Sequence, residues 1–171
     1  MLIAGIDPGT NGAIAVLDSE NPDSVALLDL KNASVHWIYE WLEDKIPIHP
    51  PITKGTIKSL HRYQNNIWVE DVHSMYGMSA KSNFGFGRNL GKVLTIAELI
   101  VDKKPLMVTP KIWQKYIGVT VKGKAIKKEV AKIAQDLYPN AELYGQRGGL
   151  LDGRADALMI AHYGLKHMEK E

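Results

Sequence analysis

The chain contains no cysteine, which excludes disulfides, thiolate zinc sites and thiol catalysis. No apolar stretch runs beyond a few residues, and the apolar start Leu2 to Ile6 has no basic leader and meets Asp7-Pro8 at once. Neither a membrane span nor a signal peptide is therefore expected, and the expected compartment is the cytoplasm. A Walker-type Gly-x-x-x-x-Gly-Lys-Ser/Thr motif is missing, which argues against a P-loop nucleotide pocket. Internal repeats and low-complexity tracts are also missing. Acidic residues are absent from Lys103 to Lys128, where there are eight lysines, whereas Asp18 to Asp44 holds seven acids and the single lysine Lys31. A basic run of this kind can draw polyphosphate through counterion release, although a solvated helix and loop would show it too.

What is present is the composition of a globular protein: 45% hydrophobic, 23% charged, formal net charge +2 and mean hydropathy −0.17. At 171 residues the chain accommodates one domain, 1–171, with no room for a second enzymatic lobe.

Leu2-Ile3-Ala4-Gly5-Ile6 is a short apolar run of the sort buried on both faces of a sheet, and it ends in Asp7. Turn residues Pro8 to Gly12 separate it from Ala13 to Leu17, so the pair reads as a hairpin. A third strand is expected at Val25 to Leu28, then an amphipathic helix over 34–44 carrying Val35, Ile38, Tyr39 and Leu42. Ile67-Trp68-Val69 is a further strand and also ends in acids, Glu70 and Asp71. The Gly-, Ser- and Asn-rich stretch Ser74 to Gly87 reads as a loop, followed by a helix with Leu90, Val93, Leu94, Ala97 and Val101 on one stripe. A strand at Leu106 to Val108 and a short helix from Pro110 to Tyr116 come next. Ile126, Val130, Ile133, Ala134 and Leu137 mark a helix ending before Pro139, and a last helix runs from Asp152 to about His167. This order fits an α/β fold with a mixed sheet. Trp37, Trp41, Trp68 and Trp113 read as core.

Two strands thus end in carboxylates, Asp7 and Glu70, and ligands of open α/β sheets bind beyond the strands' carboxyl ends. If the two strands are parallel neighbours, their acids converge. Asp152 and Asp156 lie four apart, one turn along one helix face. Each acid alone also reads as a turn residue or a helix cap. Four acids in one place either keep protons or hold cations. Oxygen-only ligation favours Mg²⁺ or Mn²⁺, and two ions about 4 Å apart suit phosphoryl displacement.

Gly5-Ile6-Asp7-Pro8-Gly9-Thr10-Asn11-Gly12, Val69-Glu70-Asp71-Val72-His73-Ser74 and Asp152-Gly153-Arg154-Ala155-Asp156-Ala157-Leu158 resemble the three metal-binding motifs of RuvC-type Holliday-junction resolvases, in particular the bacteriophage-type branch. The resemblance covers nearly the whole chain. It implies an RNase H-like (RuvC-type) five-stranded sheet flanked by helices, a homodimer, and Mg²⁺-dependent paired nicking of four-way DNA junctions, in the host cytoplasm if phage-encoded. The expected products carry 5′-phosphate and 3′-hydroxyl ends. By the same resemblance Asp7, Glu70 and Asp156 are metal ligands holding two Mg²⁺ per site, with Mn²⁺ as a substitute. Asp152 is a fourth candidate ligand: cellular members carry the preceding ligand three residues before the final acid, which is Gly153 here, whereas this chain has its acid four before, and helical geometry permits either spacing. Lys115 and Lys128 are the preferred catalytic lysines, with Lys111 and Lys127 as alternatives. His73 and Tyr76 follow Glu70 where the family's junction-facing loop stacks on a base. Arg88, Lys111, Lys122, Lys124 and Lys127 complete the candidate DNA-binding set with Lys115 and Lys128. Phe84 and Phe86 are expected to anchor a helix start. Gly87 and Gly91 suit either a two-fold helix interface or helix-on-sheet packing within one chain.

Three rival readings remain at this level. One is a related nuclease on other branched DNA or structured RNA. Another is a single-lobe ATP-binding protein of the actin and sugar-kinase type, suggested by Asp7-Pro8-Gly9-Thr10-Asn11-Gly12; the family reading expects no nucleotide cofactor. The third is a junction-binding protein without catalysis, which retention of all the acids disfavours.

Overall fold

The computed structural model describes residues 1–46, 66–73 and 79–168. Five strands, β1 (Leu2–Ile6), β2 (Ala13–Asp18), β3 (Asn21–Asp29), β4 (Asn66–Glu70) and β5 (Leu106–Val108), form one mixed sheet in the order β3-β2-β1-β4-β5. The first three pair antiparallel, as hairpin neighbours do, while β1–β4 and β4–β5 are parallel and joined by helical crossovers. β1 and β4 lie at the centre of the sheet, which is why their sequences are apolar without alternation.

Helices α1 (Val35–Lys45) and α2 (Ala80–Val101) cover one face of the sheet, and α3 (Pro110–Tyr116), α4 (Ile126–Leu137) and α5 (Asp152–Met168) cover the other. Ala4, Ile6, Ile14, Ile67 and Val69 meet Ile38, Leu42, Val93 and Ile96 on the first face. Ile3, Ala13, Ala15, Leu17 and Trp68 meet Trp113, Val130, Leu158 and Ala161 on the second. Each fully buried Ile or Leu contributes roughly 1.5–3 kcal/mol, so the two layers hold the sheet from both sides.

α5 crosses β1 at van der Waals distance because β1 carries Gly5 there. A Cβ at Gly5 would lie 2.2 Å from the backbone N of Ala161. The approach brings the first turn of α5 level with the carboxyl end of β1, where Gly12 and Gly153 form an isolated parallel bridge. Arg154 fastens the same turn to the far side of the sheet. Its Nε and Nη2 donate to the two carboxylate oxygens of Asp29 at 2.7 and 2.9 Å, and its Nη1 to the Glu142 carbonyl at 2.8 Å.

Several expectations are corrected. The stretch expected to be a loop up to Gly87 is helical from Ala80, because Ser79 caps α2 by accepting from the Ser82 N–H at 3.1 Å. Phe84 is 75% exposed within that helix and Phe86 only half-buried, so among the described residues Phe84 does not anchor the helix start. Trp37 is 51% exposed, since the buried stripe of α1 is set by Ile38 and Leu42 and the neighbouring position lies about 100° round the helix. Val35, the first residue of α1, is exposed although it lies on the side of Ile38 and Leu42, and Trp41 is half-buried, whereas Trp68 and Trp113 are core. Leu137, the last residue of α4, is exposed. The third strand is longer than the four apolar residues that announced it.

Candidate active site

Parallel pairing of β1 with β4 puts Ile6 opposite Val69, so Asp7 and Glu70 are the next residues on adjacent strands. Neighbouring strands lie about 4.8 Å apart, and residues in register point to the same face. That face is the one covered by α5. Asp7 is oriented by its own turn: the Gly9 N–H donates to Asp7 Oδ1 at 2.9 Å, while the Asp7 N–H bonds the Ala13 carbonyl. Glu70 is buried, and the indole N–H of Trp113 donates to its Oε1 at 2.9 Å.

Asp152 and Asp156, one turn apart on α5, face the same turn. A cleft of about 230 Å³ is lined by Asp7, Gly9, Thr10, Asn11, Gly12, Lys127, Asp152, Gly153 and Asp156. Position 153 cannot carry a ligand side chain, because a Cβ there would lie 2.1 Å from the Asn11 carbonyl oxygen. The acid that enters the cleft from the first turn of α5 is Asp152.

Burial is the first cause of the electrostatics here. It raises Asp7, against the lowering effect of the Gly9 hydrogen bond and with help from the charge of Asp152. It raises Asp156 well above the ordinary aspartate value, helped by the charges of Asp7, Glu70 and Asp152. Glu70 is raised to about 7 by burial and then by the charge of Asp7, against the lowering effect of the Trp113 hydrogen bond. Lys127 donates to Asp152 Oδ2. That bond raises the Lys127 pKa, with further help from the charges of Asp156 and Asp7. Among the described residues no three acidic or histidine side chains are already drawn into a single-ion cage.

The remaining candidates lie elsewhere. Lys111 and Lys115, on α3, line a separate cleft with Tyr116, Tyr163 and His167. Lys128 is exposed beside Lys127 but does not line the carboxylate cleft, and Lys122 and Lys124 are exposed just before α4. His73 is exposed, with Nδ1 3.9 Å from Asp71 Oδ1. Arg88 is exposed on α2 and borders a groove against α1. Tyr76 lies outside the described residues. Sequence reasoning reads Trp113 only as core and gives Arg154 no role, yet they position Glu70 and the first turn of α5; their partners are 43 and 125 residues away in the chain.

Among the described residues a five-stranded mixed sheet is flanked by five α-helices, an arrangement that fits an α/β RNase H-like fold. Eighteen chains of solved structures match it. One is T. thermophilus RuvC in complex with Holliday junction substrate, which is 20% identical with a TM-score of 0.55, over 98% of this chain and 96% of that one. No protein-family model matches the sequence, and no curated protein matches it either.

Proposed function

We propose that this chain is a divalent-metal-dependent endonuclease, a crossover junction endodeoxyribonuclease of the bacteriophage type, that resolves four-way DNA junctions by paired symmetrical nicks. The observation that carries the reading is the convergence of Asp7, Glu70, Asp152 and Asp156 from three elements on a RuvC-type fold. Buried acids that raise one another's pKa and share one cationic neighbour, Lys127, are a donor set suited to a hard cation. Asp7, Glu70, Asp152 and Asp156 would hold Mg²⁺, two ions per site, with Mn²⁺ as a substitute. Bound there, the metal would supply Lewis-acid polarisation of the scissile phosphate and a more acidic water.

The chain's own residues do the positioning. The Gly9 N–H fixes one oxygen of Asp7 and the Trp113 indole fixes one oxygen of Glu70, so that the second oxygen of each would serve as the ligand atom. Lys127 brings a positive charge to the mouth of the cleft, where a phosphodiester enters. Hydrolysis in this arrangement needs no protein nucleophile and leaves 5′-phosphate and 3′-hydroxyl ends.

A junction with two equivalent nick sites calls for a two-fold homodimer. The exposed face of α2 suits that role. A Cβ at Gly87 or Gly91 would meet nothing within 4 Å among the described residues, so close packing on the chain's own sheet does not explain these glycines. Leu99 on the same helix is 63% exposed and borders an open groove with Val35.

The test is incubation of labelled four-way junction, fork and duplex DNA with the purified protein in Mg²⁺ or in EDTA. Paired symmetrical nicks in the junction, dependent on Mg²⁺, are expected. Absence of junction cutting in Mg²⁺, or ATP hydrolysis without DNA, would overturn the reading.

A further inference from the structure

One lysine, Lys127, lines the carboxylate cleft, and the inference from its position rests on the metal-dependent reading above. Lys127 stands in the first turn of α4, whose backbone is fixed against α5 by buried Val130, Ala131 and Ala134. From there its side chain crosses to α5 and pairs with Asp152 Oδ2. It lines the same small cleft as Asp7 and Asp156, and no other lysine or arginine does so among the described residues. The ammonium therefore occupies the region of negative charge that would receive a cation. An ammonium and a divalent ion in a cleft of about 230 Å³ repel each other strongly. The Lys127 side chain is largely exposed, so turning it out toward solvent sacrifices little burial.

We propose that the Lys127 ammonium and a divalent cation are alternative occupants of the Asp7–Asp152–Asp156 cleft, so that entry of the ion turns Lys127 outward to the phosphate of bound nucleic acid. Without nucleic acid, ion binding must displace an existing ion pair and is weakened. With a phosphodiester at the cleft mouth, the displaced ammonium gains a new partner, so ion and nucleic acid strengthen each other's binding. Linkage makes that coupling reciprocal. The site is thereby loaded preferentially when substrate is present.

Thermal melting of the full chain during Mg²⁺ titration, without DNA, tests this directly. Lys127→Met keeps the apolar stem and removes the charge; Lys127→Arg keeps the charge. Lys127→Met is expected to reach its Mg²⁺-dependent stabilisation at roughly tenfold lower Mg²⁺ than the unsubstituted protein, while Lys127→Arg stays close to it. An equal or higher midpoint for Lys127→Met, with the unsubstituted protein still responding to Mg²⁺, overturns the competition and leaves the metal site standing. No Mg²⁺-dependent shift in any of the three proteins overturns the metal reading and this inference together.

Discussion

The indole N–H of Trp113 donates to Glu70 Oε1 at 2.9 Å, joining the first turns after β5 to the carboxyl end of β4. Trp113 is fully buried, so this is the hydrogen bond that a carboxylate withdrawn from water needs. Trp113→Phe preserves the ring and removes the donor. A stability loss of about 1–3 kcal/mol is expected from the unpaired carboxylate. Cleavage or metal affinity is expected to fall about 10- to 100-fold, as when other supporting residues of metal sites are removed. Denaturant melts and single-turnover cleavage assays check both; an unchanged rate would show that Glu70 needs no such support.

Asp7 is the acid nearest the centre of the sheet, raised by burial and repelled by its neighbours. Asp7→Asn is expected to abolish cleavage, by about three orders of magnitude or more, while junction binding by gel shift is retained. The same substitution relieves repulsion among buried acids, so the metal-free protein is expected to melt a few degrees higher. Unchanged cutting would remove Asp7 from the site.

The acids also dictate how metal-free stability varies with pH. Glu70 titrates at about 7 in the folded chain against an ordinary 4.5, so between these values the folded state holds a proton that the unfolded state has released. The resulting stabilisation is fully present below pH 4.5 and is lost as pH rises to about 7. Asp7 and Asp156 are raised as well and act in the same direction. Melting temperatures in EDTA are therefore expected to fall across this window, and Mg²⁺ at pH 8 is expected to raise them again. A melting temperature in EDTA that is flat or rises from pH 4.5 to 7 would contradict the burial of these groups.

Gly153 separates backbone crowding from side-chain chemistry. Gly153→Ala would drive a Cβ to 2.1 Å from the Asn11 carbonyl and push the first turn of α5 off the hairpin. A loss of more than about 2 kcal/mol is expected. Gly85→Ala, where a Cβ on α2 meets nothing within 4 Å among the described residues, is expected to stabilise by about 0.5–1 kcal/mol instead. Calorimetry of the two variants compares them directly.

Much of this arrangement was legible in the sequence. Unbroken apolar runs ending in Asp7 and Glu70 announced central strands, and the four-residue spacing of Asp152 and Asp156 announced a shared helix face. Ala80 to Gly87 was misread because three glycines in α2, Gly85, Gly87 and Gly91, each cost about 1 kcal/mol of helix propensity, and tertiary packing overrides that cost. Trp37 was misread because composition favours burying tryptophan, whereas Ile38 and Leu42 decide which side of α1 faces the sheet. Which lysine meets the acids was not legible, since Lys127 and Lys128 differ by one residue and only the packing of α4 on α5 selects between them. The Trp113–Glu70 and Arg154–Asp29 pairs join residues far apart in the chain, and no local pattern signals them.

On the proposed function, Asp7, Glu70, Asp152 and Asp156 together hold divalent cations. The anomalous difference map of crystals soaked in Mn²⁺ locates such ions directly. Strong peaks are expected within about 2.5 Å of these carboxylate oxygens, weakened or lost in Asp7→Asn. A map with no peak in this cleft, from crystals that bind Mn²⁺ elsewhere, would contradict the proposed function.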